Sequence, residues 1–329
     1  MITVLGAGAA GLMFAAMASR IGHEVRIFEQ GPEDLSAACA WRAGGMLAPW
    51  CEAEIAEPVI GRLGQRSLQI WPDYTDNLEL RGSIVLAPPN DGVSLNRFSQ
   101  RTKNWSFLKQ QELDELEPDL SDRFSSGLYY PGEGHLNPRK TLTALVSTLR
   151  ENGVGIVFDN KQEVTAQSSQ DWIIDCRGLA ARDTLSGLRG VKGEMMLIRT
   201  EDVALNRPVR LIHQRHPIYV VPRTDNVFMI GATTIESEAS TGVTVRSAGE
   251  LLTQVYTLHP AFGEAEIIEF NAGLRPAFAD NCPRIHVQDN RLYINGLYRH
   301  GIMLAPALAE LALNYIETQE TDAEVFDVN

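Results

Sequence analysis

Residues 1–11 have the sequence MITVLGAGAAG. The first five residues predict a short, mostly apolar strand, and glycines at positions 6, 8 and 11 follow it directly. An alanine-rich stretch over residues 12–20 predicts a helix, and residues 25–28 (VRIF) predict a second strand that leads into Glu29. Strand, glycine-rich turn, helix, strand and acidic residue, in this order, are typical of a βαβ unit that binds a dinucleotide.

The three glycines of this turn have different physical roles. Gly6 permits the tight turn, Gly8 lets the backbone approach a pyrophosphate, and Gly11 lets the helix pack against the strand. Free N–H groups at the helix N-terminus favour the phosphates. Glu29 can accept hydrogen bonds from both ribose hydroxyls and would repel a 2′-phosphate, which disfavours NADP. A tight turn without a ligand is the alternative interpretation.

Composition narrows the class of protein further. The net charge of −13 argues against nucleic acid or an anionic membrane as a partner. The four cysteines, at positions 39, 51, 176 and 282, are scattered and show neither metal-ligand spacing nor a disulfide framework. The chain starts on its glycine-rich fingerprint, and no apolar run is long enough to span a membrane. We therefore expect a cytoplasmic protein without a bound metal.

Helical and strand patterns alternate in the first half of the chain and return at its end. Helices are expected over residues 53–74, 138–152 and 302–318, with Asn137 as a plausible N-cap and Pro306 in a first turn. Strands over residues 82–87, 154–158 and 172–175 are also expected, and the last two would extend the dinucleotide-binding sheet. Residues 320–329 are expected to form a loose acidic tail.

After Gly190 the pattern changes to successive strands. They are expected over residues 194–199, 209–213, 218–221 and 227–230, with one helix near residues 245–258. This block indicates an antiparallel sheet, and further strands are expected over residues 267–275 and 292–295.

The organisation is therefore discontinuous. We expect a dinucleotide-binding domain built from residues 1–80, 134–188 and 272–329, and a substrate domain built from residues 81–133 and 189–271. Simple nicotinamide dehydrogenases usually keep their dinucleotide half contiguous. A flavoprotein that closes its FAD site with a C-terminal glycine-rich segment is the better match.

Three further motifs carry a specific resemblance. They are AGGMLAP at residues 43–49, GLRP at residues 273–276 and GLYRHGIMLAP at residues 296–306. Together with the N-terminal fingerprint, they resemble the D-amino-acid oxidase superfamily, and within it the glycine oxidases of the thiamin thiazole pathway. This resemblance implies an α/β fold, in which a Rossmann-like FAD-binding domain carries an inserted, mostly antiparallel substrate domain.

The resemblance also implies which residues hold FAD. The pyrophosphate would lie on the glycine-rich turn, the adenine beside Gln30 and the backbone of Val164, and the flavin against the two later motifs. The expected cofactor-binding residues are Gly6, Gly8, Ala9, Ala10, Gly11, Glu29, Gln30, Cys39, Ala40, Arg42, Gly44, Gly45, Met46, Val164, Leu297, Tyr298, Arg299, His300, Gly301, Ile302 and Met303. The final helix would aim its N-terminus at the negative charge of the reduced flavin.

Two arginines fall on the motifs where the family binds its substrate. A guanidinium holds a carboxylate through two parallel hydrogen bonds, and Arg275 is the first choice for this clamp, with Arg299 second. Tyr219 would lie over the substrate pocket. The alternatives are surface ion pairs for the arginines and a half-buried strand position for the tyrosine. His216 and His300 could act as bases, but hydride transfer from a neutral amine needs none, so we assign no catalytic acid or base.

Two local features depart from the pattern or invite another interpretation. Bulky Trp41 and Arg42 stand where many relatives have small residues, so either the loop bulges or Arg42 reaches the FAD phosphates. Cys51 is expected to be an ordinary core or loop residue, with covalent flavin attachment as the alternative.

The resemblance implies oxidative deamination of glycine. A hydride would pass from the α-carbon to flavin N5, and O2 as oxidant would yield an imine or glyoxylate, ammonia and hydrogen peroxide, in a pathway that forms the thiazole of thiamin. A D-amino-acid or sarcosine-type oxidase or dehydrogenase is the nearer alternative. A flavin-binding protein without turnover is the other. The family forms homo-oligomers, so we expect one here.

Overall fold

The computed structural model describes residues 1–88, 91–161 and 171–328. Its strands are, in chain order, β1 (Ile2–Leu5), β2 (Val25–Phe28), β3 (Met46–Leu47), β4 (Ser83–Leu86), β5 (Ser106–Lys109), β6 (Ser126–Tyr130), β7 (Gly134–His135), β8 (Gly155–Val157), β9 (Trp172–Asp175), β10 (Arg189–Arg199), β11 (Val209–Leu211), β12 (Ile218–Pro222), β13 (Val227–Gly231), β14 (Glu266–Ala277), β15 (Arg284–Gln288), β16 (Arg291–Asn295) and β17 (Phe326–Val328).

The α-helices lie between these strands, and short 3₁₀ helices join several of them. In chain order the α-helices are α1 (Ala9–Arg20), α2 (Pro49–Glu52), α3 (Pro58–Ile70), α4 (Gly92–Arg101), α5 (Gln110–Leu116), α6 (Pro138–Glu151), α7 (Val245–Leu258) and α8 (Gly301–Thr318). None of these helices is long and apolar enough to cross a membrane.

The first sheet is seven-stranded, in the order β17-β15-β16-β9-β1-β2-β8. Strand β1 pairs in parallel with β2 and with β9, and all four of its residues are buried. An apolar strand that is buried on both faces is what a parallel sheet with covering helices requires. Helices α1, α3, α6 and α8 contribute to the core around it. The predicted extension of the dinucleotide-binding sheet by β8 and β9 is confirmed.

The second sheet is eight-stranded, in the order β14-β10-β13-β12-β11-β4-β6-β5. Its described pairs are antiparallel except for β11 with β4. The predicted combination of a Rossmann-like sheet with a mostly antiparallel sheet is therefore confirmed. Strand β14 continues through the predicted domain limit between residues 271 and 272, and the domain limits stay a prediction.

Helix α8 departs from the expected position of Pro306. The helix begins at Gly301, so Pro306 lies inside it and not in its first turn. A proline there cannot donate a hydrogen bond to the carbonyl four residues earlier, that of Ile302. The indole N–H of Trp71 donates to this carbonyl instead, at 3.2 Å, and Ser67 Oγ accepts from the Ala307 N–H at 3.1 Å. Helix α3 and the residue that follows it thus supply hydrogen bonds to the backbone of α8 around its proline.

Two other expectations were wrong. The helix expected over residues 53–74 is shorter, because α2 ends at Glu52 and Pro58 starts a new helix: α3 ends at Ile70, and a 3₁₀ turn follows at Trp71–Asp73. The expected loose tail contains β17, which pairs in parallel with β15 and completes the edge of the first sheet.

Candidate active site

A cavity of about 700 Å³ lies between the two sheets. Its wall combines the β1–α1 turn, residues 37–40 and 42–46, parts of β10, β12 and β14, and the segment that opens α8. The predicted site residues that line it are Gly6, Gly8, Ala9, Ala10, Glu29, Gln30, Cys39, Ala40, Arg42, Gly44, Gly45, Met46, Tyr219, Arg275, Leu297, Tyr298, Arg299, His300, Gly301, Ile302 and Met303.

Among the described residues, one predicted site residue is not in this wall. Gly11 packs inside the fold, where a Cβ would lie 1.9 Å from the carbonyl oxygen of Gly6. It therefore serves the close packing of helix on strand that its place in the motif predicts. Val164 lies outside the described residues.

The β1–α1 turn has the geometry of an anion site. Gly6 has a φ of +97°, which favours glycine. A Cβ at Gly8 would meet no atom of the described residues within 4 Å, so the part of the chain that the structure describes leaves the space beside this backbone open. No side chain of the described residues caps the N-terminus of α1, and its first turn contains no acidic residue. The free N–H groups and the helix dipole are therefore available to a phosphate.

Glu29 lies at the end of β2, beside this turn. Its Oε2 accepts a hydrogen bond from the Ala7 N–H and its Oε1 from the Gly31 N–H, both at 2.6 Å. These bonds orient the carboxylate at the cavity wall, and each oxygen keeps a lone pair for a ligand hydroxyl. A dinucleotide with an unphosphorylated ribose fits this arrangement.

Glycines of the AGGMLAP motif allow large groups to pack closely. Gly45 has a φ of +73°, and a Cβ there would lie 2.1 Å from the carbonyl oxygen of Leu136. A Cβ at Gly44 would lie 2.6 Å from the ring of Tyr219, and one at Gly231 would lie 2.5 Å from the Tyr219 hydroxyl. Tyr219 is therefore held between two glycines at the cavity wall, where burial raises the pKa of its phenol.

The segment before α8 turns its backbone toward the cavity. A 3₁₀ helix over Tyr298–His300 leads into α8, and within the described ranges no side chain caps the α8 N-terminus. Tyr298 has a φ of +49°, and a Cβ at Gly301 would meet no atom within 4 Å. The wall here offers peptide N–H groups and the positive end of a helix dipole to a group that carries negative charge.

Arg275 extends from β14 across Gly193 of β10. A Cβ at Gly193 would lie 2.1 Å from a guanidinium nitrogen of Arg275, so only glycine leaves room for this side chain. Its Nη1 donates to the Thr233 carbonyl at 3.0 Å. Within residues 1–88, 91–161 and 171–328, no carboxylate forms an ion pair with Arg275. The other guanidinium donors remain available to an anionic ligand, and burial lowers the pKa of this group.

Arg299 has a carboxylate nearby that the sequence motifs did not point to. Its Nη2 lies 3.9 Å from Oε2 of Glu52, and Nδ1 of His300 lies 3.8 Å from the same oxygen. Glu52 ends α2 and lines the cavity, and its Oε1 lies 3.2 Å from Nη1 of Arg210. Burial alone would raise the pKa of Glu52, but the charges of Arg299 and Arg210 lower it to about 2. Glu52 is therefore a carboxylate at every ordinary pH.

His300 and His216 do not have the surroundings of a general base. Burial lowers the pKa of His300 to about 4, although the charge of Glu52 opposes this shift. The imidazole of His300 is therefore neutral near pH 7. His216 does not line the cavity and lies 3.4 Å from Glu250.

Arg42 and Cys51 were both open questions in the sequence. Arg42 belongs to a 3₁₀ helix over Cys39–Arg42, and its Nε donates to Asn271 Oδ1 at 2.7 Å. Its side chain crosses Gly273, where a Cβ would lie 3.1 Å from Arg42 Cδ, so it follows β14 along the cavity wall. Cys51 is fully buried in a hydrophobic cluster and does not line the cavity.

Comparisons with known proteins agree with this geometry. The profile of the "FAD dependent oxidoreductase" family matches residues 1–314. The chain is 43% identical to the "Putative thiamine biosynthesis oxidoreductase ThiO" of Rhizobium etli, over 98% of each chain. It is 25% identical to a glycine oxidase of Geobacillus kaustophilus, over 97% of this chain and 93% of the relative.

A solved structure extends the likeness to the fold. Glycine oxidase from Bacillus cereus superposes with a TM-score of 0.83 at 23% identity, and the match covers 97% of this chain and 95% of the other. The fingerprint turn, the two-sheet cavity and the full-length sequence match point to the same group of proteins, as the resemblance predicted. The chain belongs to the FAD-dependent oxidoreductase family that includes the D-amino-acid oxidases.

Proposed function

We propose that this protein is an FAD-dependent oxidase of glycine that serves thiazole formation in thiamin biosynthesis. Its substrates are glycine and O2, and its products are an imine that yields glyoxylate and ammonia, and hydrogen peroxide. The names of the relatives at 43% and 25% identity support this proposal. The observation that carries it is Arg275, a guanidinium without a carboxylate partner among the described residues, on the wall of a cavity suited to a dinucleotide.

The residues that would hold FAD follow the cavity from end to end. The β1–α1 turn would bind the pyrophosphate, Glu29 the ribose and Gln30 the adenine side. The chain at Gly44 and Gly45 and the segment over residues 297–303 would enclose the ring system. Bound FAD supplies an acceptor for the hydride of the substrate α-carbon.

The protein's own contribution is to position the amino acid. Arg275 binds the substrate carboxylate through two hydrogen bonds, which fixes both its place and its rotation. Tyr219 closes the pocket on one side and limits the size of the side chain that can enter. Arg299 stands as the second cation beside the carboxylate. We assign no residue as acid or base, since His300 is neutral and is buried against Glu52.

A substrate panel in air tests the activity. We expect oxygen uptake with matching hydrogen peroxide when purified protein receives glycine, and slower turnover with sarcosine and D-alanine. Reduction of the flavin by these amines with little hydrogen peroxide would indicate a dehydrogenase that passes its electrons to an acceptor other than O2. Turnover of only a bulkier D-amino acid would keep the chemistry and refute glycine as the substrate.

A variant of Arg275 tests the clamp. Arg275→Ala should retain FAD and lose about 100-fold or more in kcat/KM, because hydrogen bonds to charged groups contribute about 1.5–3 kcal/mol each. Arg150→Ala is the matched control, since Arg150 forms an exposed ion pair with Glu33 at 2.7 Å, away from the cavity wall. Unchanged turnover in Arg275→Ala would refute the assignment.

A further inference from the structure

Glu52 contains a buried oxygen whose partner is missing from the described part of the protein. Its Oε1 is paired with Arg210, but its Oε2 is buried and accepts no hydrogen bond from residues 1–88, 91–161 or 171–328. The nearest nitrogens of the neighbouring residues are Arg299 Nη2 at 3.9 Å and Nδ1 of the neutral His300 at 3.8 Å, and both are beyond hydrogen-bond distance. Buried polar atoms are nearly always paired, and an unpaired charged oxygen is costly.

The location of this oxygen indicates which ligand group would donate a hydrogen bond to it. Glu52 lines the same cavity as Arg275. The charges of Arg299 and Arg275 act on its carboxylate, and its own charge acts on the Tyr219 phenol, so these groups lie close to one another. Among the described residues, the cavity therefore presents a guanidinium without a counter-ion and, on another part of its wall, a carboxylate oxygen without a donor. An α-amino acid carries the complementary pair of groups, a carboxylate and an ammonium, on one carbon.

We propose that Oε2 of Glu52 accepts a hydrogen bond from the ammonium group of the substrate when it binds, so that Glu52 selects amino acids over carboxylic acids that lack the amine. The ammonium then releases one proton to solvent, and the neutral amine that remains undergoes hydride transfer. This inference rests on the proposed function and adds a second recognition group to it. Arg275 recognises what all α-carboxylates share. Glu52 recognises what distinguishes glycine from glycolate, in which a neutral hydroxyl replaces the ammonium.

A purely structural role for Glu52 makes a different prediction. If Glu52 only neutralised Arg299 and Arg210, its loss would disturb the pocket for every ligand in a similar way. Recognition of the ammonium instead predicts a selective loss. The ratio of the dissociation constants of glycine and glycolate therefore separates the two roles.

The experiment compares these two ligands in the FAD-loaded wild type and in Glu52→Gln. The glycine constant comes from the saturation of the anaerobic flavin reduction rate, and the glycolate constant from the perturbation of the oxidised flavin spectrum. We expect glycine to bind about 10- to 100-fold more weakly in Glu52→Gln, the size of a hydrogen bond to a charged group. The dissociation constant of glycolate should stay within about threefold of its wild-type value. The ratio of the two constants should therefore change by about as much as the glycine constant does.

Two further variants keep the result interpretable. Glu54→Gln is the matched control, because Glu54 also faces Arg210, at 3.8 Å, but does not line the cavity, and it should leave both constants unchanged. Glu52→Asp keeps the charge beside Arg210 and withdraws the carboxylate by one methylene, so it should weaken glycine selectively even if Glu52→Gln fails to fold.

The outcomes are distinct from those that test the proposed function. An unchanged ratio, or an equal weakening of both ligands, would overturn the role of Glu52 while glycine oxidation stands. If glycine does not reduce the wild-type flavin but D-alanine does, glycine is the wrong substrate, and D-alanine with D-lactate then tests Glu52 in the same way. A wild type that binds no amine better than its hydroxy analogue overturns the inference.

Discussion

Individual side chains in this site are placed by glycines that leave room for them. Arg275 crosses the backbone at Gly193, and Tyr219 lies between Gly44 and Gly231. In each case a Cβ would come within 2.6 Å of the larger side chain, so the glycine is required by contact and not by a turn. Substitution of such a glycine should displace the functional side chain while most of the fold persists.

Gly193→Ala is the sharpest of these changes. The new methyl group would overlap the Arg275 guanidinium, and an error of about 1 Å in position can lower the rate about 100-fold. We expect kcat/KM for glycine to fall by about that factor, with FAD content retained, in steady-state assays. Gly249→Ala is the control, because a Cβ there meets no atom within 4 Å, and it should leave kcat/KM unchanged. Equal activity of the two variants would contradict the placement of Arg275.

The buried carboxyl group of Glu133 predicts how the free energy of unfolding depends on pH. Burial raises its pKa to about 8, although its oxygens accept hydrogen bonds from Ser83 Oγ and from the Trp50 and Cys51 N–H groups at the start of α2. The folded chain thus holds a proton that the unfolded chain releases near pH 4.5. The free energy of unfolding should therefore fall as pH rises from about 4.5 to about 8.

The isosteric variant Glu133→Gln tests the direction of this pH dependence. A glutamine can keep the accepting oxygen toward α2 and donate to Ser83, as the protonated carboxyl does. Chemical denaturation at several pH values should show a flatter profile for Glu133→Gln than for the wild type between pH 5 and 8. Parallel profiles would show that Glu133 is ionised throughout this range.

The motif residues were predictable, whereas Glu52 was not. Arg275 and Arg299 lie in runs of sequence that resemble a known family, and both line the cavity. Glu52 is one of 42 acidic residues, and its closest partner, Arg210, is 158 positions away. The one available signal was its position three residues after the AGGMLAP motif.

Helices α3 and α8 show how one element compensates for an irregularity in another. Pro306 deprives the Ile302 carbonyl of its helical partner, and Trp71 supplies the missing donor. Local propensity predicts both helices but not this exchange, because the two partners are 231 residues apart. The same limit explains why β17 was missed, since its strand exists only through pairing with β15.

A double-mutant cycle tests the exchange. Trp71→Phe removes the indole N–H and should lower the free energy of unfolding by about 1–3 kcal/mol, the cost of an unpaired buried carbonyl plus a small void. Pro306→Ala restores a helical N–H, so Trp71→Phe should cost less in that background. Additive effects in thermal or chemical unfolding would contradict the coupling.

At the scale of the whole molecule, the cavity joins two sheets that the chain builds from interleaved segments. The sequence order of strands and helices predicted this interleaving. It did not predict the parallel pairing of β11 with β4, which depends on register across distant strands. The cavity extends from Glu29 to the α8 N-terminus, so a ligand with both a nucleotide end and a ring end should stabilise the protein most.

A comparison of FAD with FMN tests whether the ligand site includes the nucleotide end of the cavity. FAD that binds only the folded chain stabilises it by about 2.7 kcal/mol at 100 times its dissociation constant, and should raise the Tm of flavin-free protein more than FMN does. FMN lacks the adenosine that would contact Glu29. Gly8→Ala, whose Cβ meets no protein atom, should leave the Tm without flavin unchanged and reduce the effect of FAD. Equal shifts with FAD and FMN would contradict the adenosine site.

The most direct test of the central claim is an anaerobic absorbance titration of the purified, FAD-loaded protein with glycine. Loss of the oxidised flavin band at saturable glycine concentrations is the predicted result, with sarcosine and D-alanine less effective. A band that glycine leaves unchanged would contradict glycine oxidation, whichever other amine then proved active.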